Sequence, residues 1–326
     1  MRKLYPLKFK PIFKDKVWGG QRLQKLFNKD FSPLPNCGES WEISGVEGNL
    51  SVVENGFLKG NNLQELIEVY MGDLVGEKIF GEFGDTFPLL VKFLDTSDYL
   101  SIQVHPDDKL ARERYKSKGK SEMWYVIHAE PGAEIIAGFK HNVDPDTYLH
   151  HLENNTLKEI LNVEEARPGD VFYIPAGRIH AIGAGITLCE IQQTSDITFR
   201  VYDWDRPGQD GKLRELHTDE ALKALDFNSL PEYKTPYKEE ENGSAPLVDC
   251  PYFTTNLLTF DRKIESDYFF LDSFVIYICL EGDFRIVYPS GSEEVKQGEA
   301  FVLPAELKTV QLIPGKACRV LESYIK

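Results

Sequence analysis

The sequence predicts a mainly β fold made of two related β-domains, the first carrying a small helical addition. Three observations predict it. Most of the 326 residues read as short alternating or continuous apolar runs between Gly, Pro and Asn/Asp turns. Helical spacing is confined to a few short segments. Two segments also recur in the same order: 124–127 followed by 168–176, and 276–279 followed by 297–305. In both copies a Gly leads through five residues to Pro-Ala (Gly169 to Pro175-Ala176; Gly298 to Pro304-Ala305), as a duplicated unit would.

The elements follow in order. Leu7-Lys8-Phe9-Lys10 alternates like a strand. Leu63, Leu66, Ile67, Tyr70 and Met71 have the spacing of one helix face. Strands are predicted at 87–94 and 99–104, a short helix at 107–115, and strands at 123–128 and 134–139. Asp144-Pro145 supplies a cap and first turn for a helix carrying Tyr148, Leu149 and Leu152. Strands return at 170–174, 186–192 and 198–202, and Thr218 is placed to cap a helix over 219–225. Residues 231–246 hold three prolines, Glu239-Glu240-Glu241 and Asn-Gly-Ser, and read as a linker. Nearly pure strand pattern follows. The expected division is 1–235 and 245–326.

The formal charge is −15, from 37 basic and 52 acidic side chains. A general nucleic-acid or anionic-membrane binder needs a positive field, so both classes are excluded as expectations. Any anion site must be built locally from a few cations. The longest apolar stretch, 268–280, is interrupted by Asp272 and is too short to span a membrane. The basic N-terminus (Arg2, Lys3, Lys8, Lys10) leads into no apolar stretch, so no signal peptide is expected. Five scattered cysteines (Cys37, Cys189, Cys250, Cys279, Cys318) form no CxxC pair, which argues against a disulfide frame or a Cys-rich zinc site. A cytoplasmic location is expected.

The chemistry concentrates in two segments. In Ser101-Ile102-Gln103-Val104-His105-Pro106-Asp107-Asp108, Gln103 and His105 share a strand face, and Glu122 opens the next strand pattern. In Gly169 to His180, a strand enters a Pro-Ala-Gly turn that delivers His180. These segments resemble the two motifs of cupins, with Gln103 in place of the usual first His. Further motifs narrow the resemblance: Val17-Trp18-Gly19-Gly20, Gly38-Glu39-Ser40-Trp41-Glu42-Ile43-Ser44, Lys120-Ser121-Glu122, Pro175-Ala176-Gly177 with His180-Ala181, and Glu190-Ile191-Gln192-Gln193-Thr194-Ser195-Asp196. Together they resemble the type I mannose-6-phosphate isomerases in their short bacterial form. The match is in order from about residue 5 to 225.

The resemblance implies two cupin (jelly-roll) barrels, the second a degenerate copy. It implies one divalent metal per chain, usually Zn2+, held by Gln103, His105, Glu122 and His180. A mixed N/O set of this kind suits zinc and other divalent transition ions. It implies Arg200, Lys120 and Glu190 as catalytic residues, and Ser101, Arg206 and Asp196 as substrate-binding residues. The base stays open among Glu190, Asp196 and Lys120. The implied substrate is a phosphorylated hexose, mannose 6-phosphate or fructose 6-phosphate, and the expected assembly is a monomer or weak homodimer. The other five histidines read as structural or exposed. In the second half Thr309 matches His180, and the stretch matching Glu122 falls near Ser273 and Phe274. Two alternatives remain at this point: a metal cupin acting on another sugar, and a non-catalytic sugar-binding protein.

Overall fold

The computed structural model describes residues 3–326, so Arg2 lies outside the described residues. Its strands form antiparallel sheets of seven, six, five and four strands. Apolar residues on alternate faces of each strand set the order of the layers. Leu94, Trp124, Val126, Ile135, Phe172 and Leu188 fill the space between the six- and five-stranded sheets. The opposite face of the six-stranded sheet presents Val91, Phe93, Met123, Tyr125 and Ile191. It packs on Ile276, Ile278, Val302 and Leu321 of the seven-stranded sheet. That sheet's other face meets the four-stranded sheet through Tyr277, Phe284, Phe301, Leu312 and Val320. Helices Pro145–Glu153 and Thr218–Ala224 cover the outer face of the five-stranded sheet, where Tyr148 and Ala221 join Ile102, Val104 and Phe199.

Every strand placed by pattern is present, within a few residues at each end. The helices behave as their caps require. Asp107 accepts from Leu110 N (2.8 Å) to start Asp108–Tyr115. Asp144 accepts from Thr147 N (2.7 Å) to start Pro145–Glu153. Asn62 and Glu65 form a reciprocal capping box at the start of Leu63–Val75. Two expectations are corrected. Met71 is half exposed rather than on the buried face, because the helix kinks at that residue (φ 45°, ψ −127°). Thr218 is the first helical residue and makes no side-chain cap; His217 occupies the capping position.

The stretch 231–242 is pinned rather than free. Thr235 N donates to Val171 O (2.8 Å), Tyr237 Oη to Gly169 O (2.9 Å), and Glu239 accepts from Arg319 (2.9 Å). Pro246 already lies in the strand Gly243–Asp249. The N-terminal strand Leu7–Lys10 sits in the seven-stranded sheet, pairing with Ala300–Leu303 (Leu7↔Val302) and with Val52–Val53.

The repeat seen in the sequence has a counterpart in strand register. Trp124 faces Phe172 and Glu190, and Lys92 faces Glu190. In the other large sheet Tyr277 faces Phe301 and Glu322, and Asn256 faces Glu322. The same register sets Glu122 against Val275, not Ser273 or Phe274. In the two smaller sheets His180 pairs with Gln103, and Thr309 pairs with Asp267.

Candidate active site

The two facing sheets deliver the chemistry to one spot. Gln103 lies in Ile102–Val104, directly opposite His180 in the ladder, and His105 follows two residues on. Glu122 opens Glu122–Ala129 on the opposing sheet. His105, Glu122 and His180 are fully buried, and one ligand atom of each lies within 4.8 Å of the others. His105 Nε2 is 3.4 Å from Glu122 Oε2, and His180 Nε2 is 3.5 Å from Glu122 Oε1.

Each imidazole is oriented from behind. His105 Nδ1 lies 3.0 Å from Ile197 O and His180 Nδ1 2.8 Å from Arg178 O. A carbonyl only accepts, so both Nδ1 atoms carry the proton and both Nε2 lone pairs face inward. Burial pushes His105 down to about 3, with the Lys120 ammonium adding to the effect, and burial pushes His180 down to about 4. Both rings are therefore neutral near pH 7, the form that binds a metal. Burial works to raise the Glu122 carboxyl, but Lys120 and then His105 hold it well below the usual range.

A metal fits this donor set. Glu122 Oε1 and His180 Nε2 are buried without any hydrogen-bond partner, a costly arrangement unless a ligand completes it. Lys120 donates to Glu122 Oε2 and to His105 Nε2 (2.8 Å), so a cationic group already sits beside the cluster.

Gln103 and Lys120, which adjoin the cluster, line a cavity of about 460 Å³ together with Ser101, Glu190, Asp196 and Arg200. Lys14, Lys16, Lys92 and Arg214 also line it. Arg206 does not. It is held by Asp98 (2.9 Å) and Asp203 (3.2 Å), and Arg214 takes the cavity wall instead, with Asp203 gripping it through two nitrogens. Glu190 has both oxygens engaged, Oε1 by Lys92 Nζ and Oε2 by Trp124 Nε1, each at 2.9 Å. Burial acts to lower Lys92, yet Glu190 and Glu39 raise it above its ordinary value. Arg200 is lowered by burial and by Arg214. His217 Nδ1 accepts from Arg200 N (3.0 Å).

Sequence reasoning missed Lys14, Lys16, Lys92 and Arg214. A signal for Lys92 was available: it is a lone lysine in the apolar run 89–94, where a buried lysine needs a partner. Arg214 carried no such signal, because it reaches the wall from a loop.

Fold and site together define a class: a mainly β protein with a buried His-Glu-His cluster suited to a divalent metal, beside a cation-lined cavity. A family model described as phosphomannose isomerase type I, catalytic domain, matches residues 6–153. The mannose-6-phosphate isomerase ManA of Bacillus subtilis is 37% identical over 325 residues, covering 97% of this chain and 98% of its own. The chain belongs to the type I phosphomannose isomerase family. A mannose-6-phosphate isomerase of Streptococcus mutans is 36% identical, with 94% of each chain covered. The crystal structure of a mannose 6-phosphate isomerase from Bacillus subtilis superposes with a TM-score of 0.88 at 33% identity, covering 99% of this chain and 100% of that one.

Proposed function

We propose that this chain interconverts mannose 6-phosphate and fructose 6-phosphate, using a divalent metal, zinc, held by Gln103, His105, Glu122 and His180. The observation that carries the reading is full-length family membership coinciding with a buried ligand cluster at a cation-lined cavity. The described residues contain no helix long and apolar enough to cross a membrane. The proposed setting is cytoplasmic, with the chain acting as a monomer or weak homodimer.

The two pairs of facing sheets are read as two cupin barrels, residues 1–235 catalytic and 245–326 degenerate. The matching ladder positions of Glu190 and Glu322 support that reading.

The reaction moves one proton between C1 and C2 through a cis-enediolate. When bound, the metal supplies Lewis acidity toward the substrate oxygens. The chain must supply the rest. The Arg200 guanidinium, facing the cavity, stabilises the negative enediolate oxygen and draws on the phosphate. Proton transfer is assigned to Lys120, whose Nζ lies against the ligand set: acting as the neutral amine, it takes the proton from one of C1 and C2 as the ammonium forms, and returns it to the other. Glu190, with both oxygens occupied, holds Lys92 and Trp124 in place. Ser101 and Asp196 line the cavity as contacts for sugar hydroxyls.

The test is isomerase turnover of mannose 6-phosphate before and after chelation, with metal add-back. Activity is expected to fall at least 100-fold on chelation, on the scale of losing one strong electrostatic contribution, about 10²–10³, and to return with Zn2+. No turnover by the metal-loaded protein overturns the reading. Arg200→Ala is expected to lower kcat by about 10²-fold or more. Near-normal turnover in that variant removes Arg200 from the mechanism.

A further inference from the structure

Six cations line the cavity: Lys14, Lys16, Lys92, Lys120, Arg200 and Arg214. Four are already neutralised. Lys16 pairs with Glu39 (3.0 Å), Lys92 with Glu190 (2.9 Å), Lys120 with Glu122, and Arg214 with Asp203. Among the described residues, Lys14 and Arg200 have no carboxylate within 4 Å. Lys14 Nζ donates to the neutral Asn49 Oδ1 and lies over the Trp41 ring (5.2 Å). Arg200 donates to the carbonyl of Glu215 (2.7 Å), and its buried Nε has no partner.

The two residues occupy corresponding places in the fold. Lys14 is on Ile12–Lys14, the edge strand of the six-stranded sheet, and Arg200 on Phe199–Tyr202, the edge strand of the five-stranded sheet. Glu122 and His180 are further inside the same two sheets. The strand of Lys14 lies four strands from that of Glu122, roughly 19 Å across the sheet at the ordinary spacing. Lys14 Nζ lies over the ring of Trp41 (5.2 Å), on the adjacent strand Glu39–Ile43, which shortens that span.

We propose that Lys14 marks the phosphate-binding end of the cavity, with Arg200, whose ladder neighbour is Gln103, lying between it and the reacting carbons at the His105–Glu122–His180 end, so that it reaches both. The inference rests on the hexose-phosphate reading above and adds to it the residue that fixes which way the substrate lies. A phosphate monoester carries a charge of about −1.5 to −2 near pH 7. Two cations lacking carboxylate partners match that charge, whereas the four paired ones would first have to give up a carboxylate. Arg200 presents a fork and Lys14 a point charge, and both donate to phosphate oxygens. Phosphate held here positions C1 and C2 by binding energy remote from the reacting atoms.

The experiment compares wild type, Lys14→Met and Lys14→Arg by steady-state kinetics on mannose 6-phosphate, with inorganic phosphate as competing inhibitor. Lys14→Met is expected to lower kcat/KM about 10- to 100-fold, mostly through KM, the scale of losing a charged hydrogen bond. It should weaken phosphate inhibition by a similar factor and flatten the dependence of KM on salt. Lys14→Arg should restore most of both. Asn49→Asp gives Lys14 a carboxylate without changing shape and should act in the same direction, which keeps the test available should Lys14→Met fold poorly. A folded Lys14→Met or Asn49→Asp with wild-type KM and wild-type phosphate inhibition overturns the inference. An inactive wild type would instead defeat the isomerase reading.

Discussion

Glu122→Gln is expected to lower turnover by at least about 10³-fold and to release the metal, read together by isomerase assay and elemental analysis of dialysed protein. Glu122 is the one carboxylate in the buried cluster, and both of its oxygens face that cluster. Its replacement by an amide removes the negative charge that draws in a cation, and leaves Lys120 buried beside no counter-charge. His180→Ala is expected to give the same double loss by a different route, because it removes the unpartnered Nε2 without touching Lys120's ion pair. Retention of full metal and turnover by both variants would remove the cluster from the chemistry. Since His180 packs edge-on to Trp124 at 5.4 Å, a melting curve accompanies each variant to separate folding loss from ligand loss.

Glu42→Ala is expected to destabilise the fold by about 3–5 kcal/mol without entering the cavity. Glu42 and Lys29 form an ion pair, both buried, between the two large sheets, with Lys29 Nζ 2.9 Å from Glu42 Oε2 and stacked over Phe93 at 5.3 Å. Burial pushes the Glu42 carboxyl up despite Lys29, so the pair is held at a cost of desolvation. Removing Glu42 alone strands the Lys29 ammonium. Removing both charges, as in a Lys29→Met, Glu42→Leu double variant, should recover most of the loss. The measurement is the urea midpoint of wild type, single and double variants. A double variant no more stable than Glu42→Ala would show that the stranded charge is not the cause.

Local chemistry explains what the sequence made legible. Glycine and proline punctuation with alternating apolar residues located the strands, and Asp107 and Asp144 located two helix starts. Strand alternation put Gln103 and His105 on one face, and the family resemblance of the two motifs, rather than their spacing, joined Glu122 and His180 to them. The wall of the cavity was less so. Arg206 and Arg214 lie on one irregular loop, and Asp203 holds both, so spacing alone could not say which one faces inward. Lys14 ends a short edge strand and Lys16 lies just beyond it, and nothing in their local sequence sets them apart from ordinary surface lysines. Only the pairing of the other cations shows that Lys14 has none. The kink at Met71 was invisible for a related reason: the helical spacing of the apolar residues continues through it.

The N-terminal strand has a consequence for how the chain is made. Leu7–Lys10 finds its partner at Ala300–Leu303, and Leu4 N donates to Glu306 (2.7 Å). It leaves the ribosome long before that partner, and waits for it before its backbone groups are paired. Until then it and the strand Val52–Val53 form an incomplete sheet edge, open to pairing with another chain. Contacts this distant in sequence slow folding, because a long loop must close before they contribute. Chains shortened at the C-terminus before this partner strand should therefore lose more than the last sheet. They leave an exposed edge on the half that carries the His105–Glu122–His180 cluster, and aggregation during synthesis is the expected outcome.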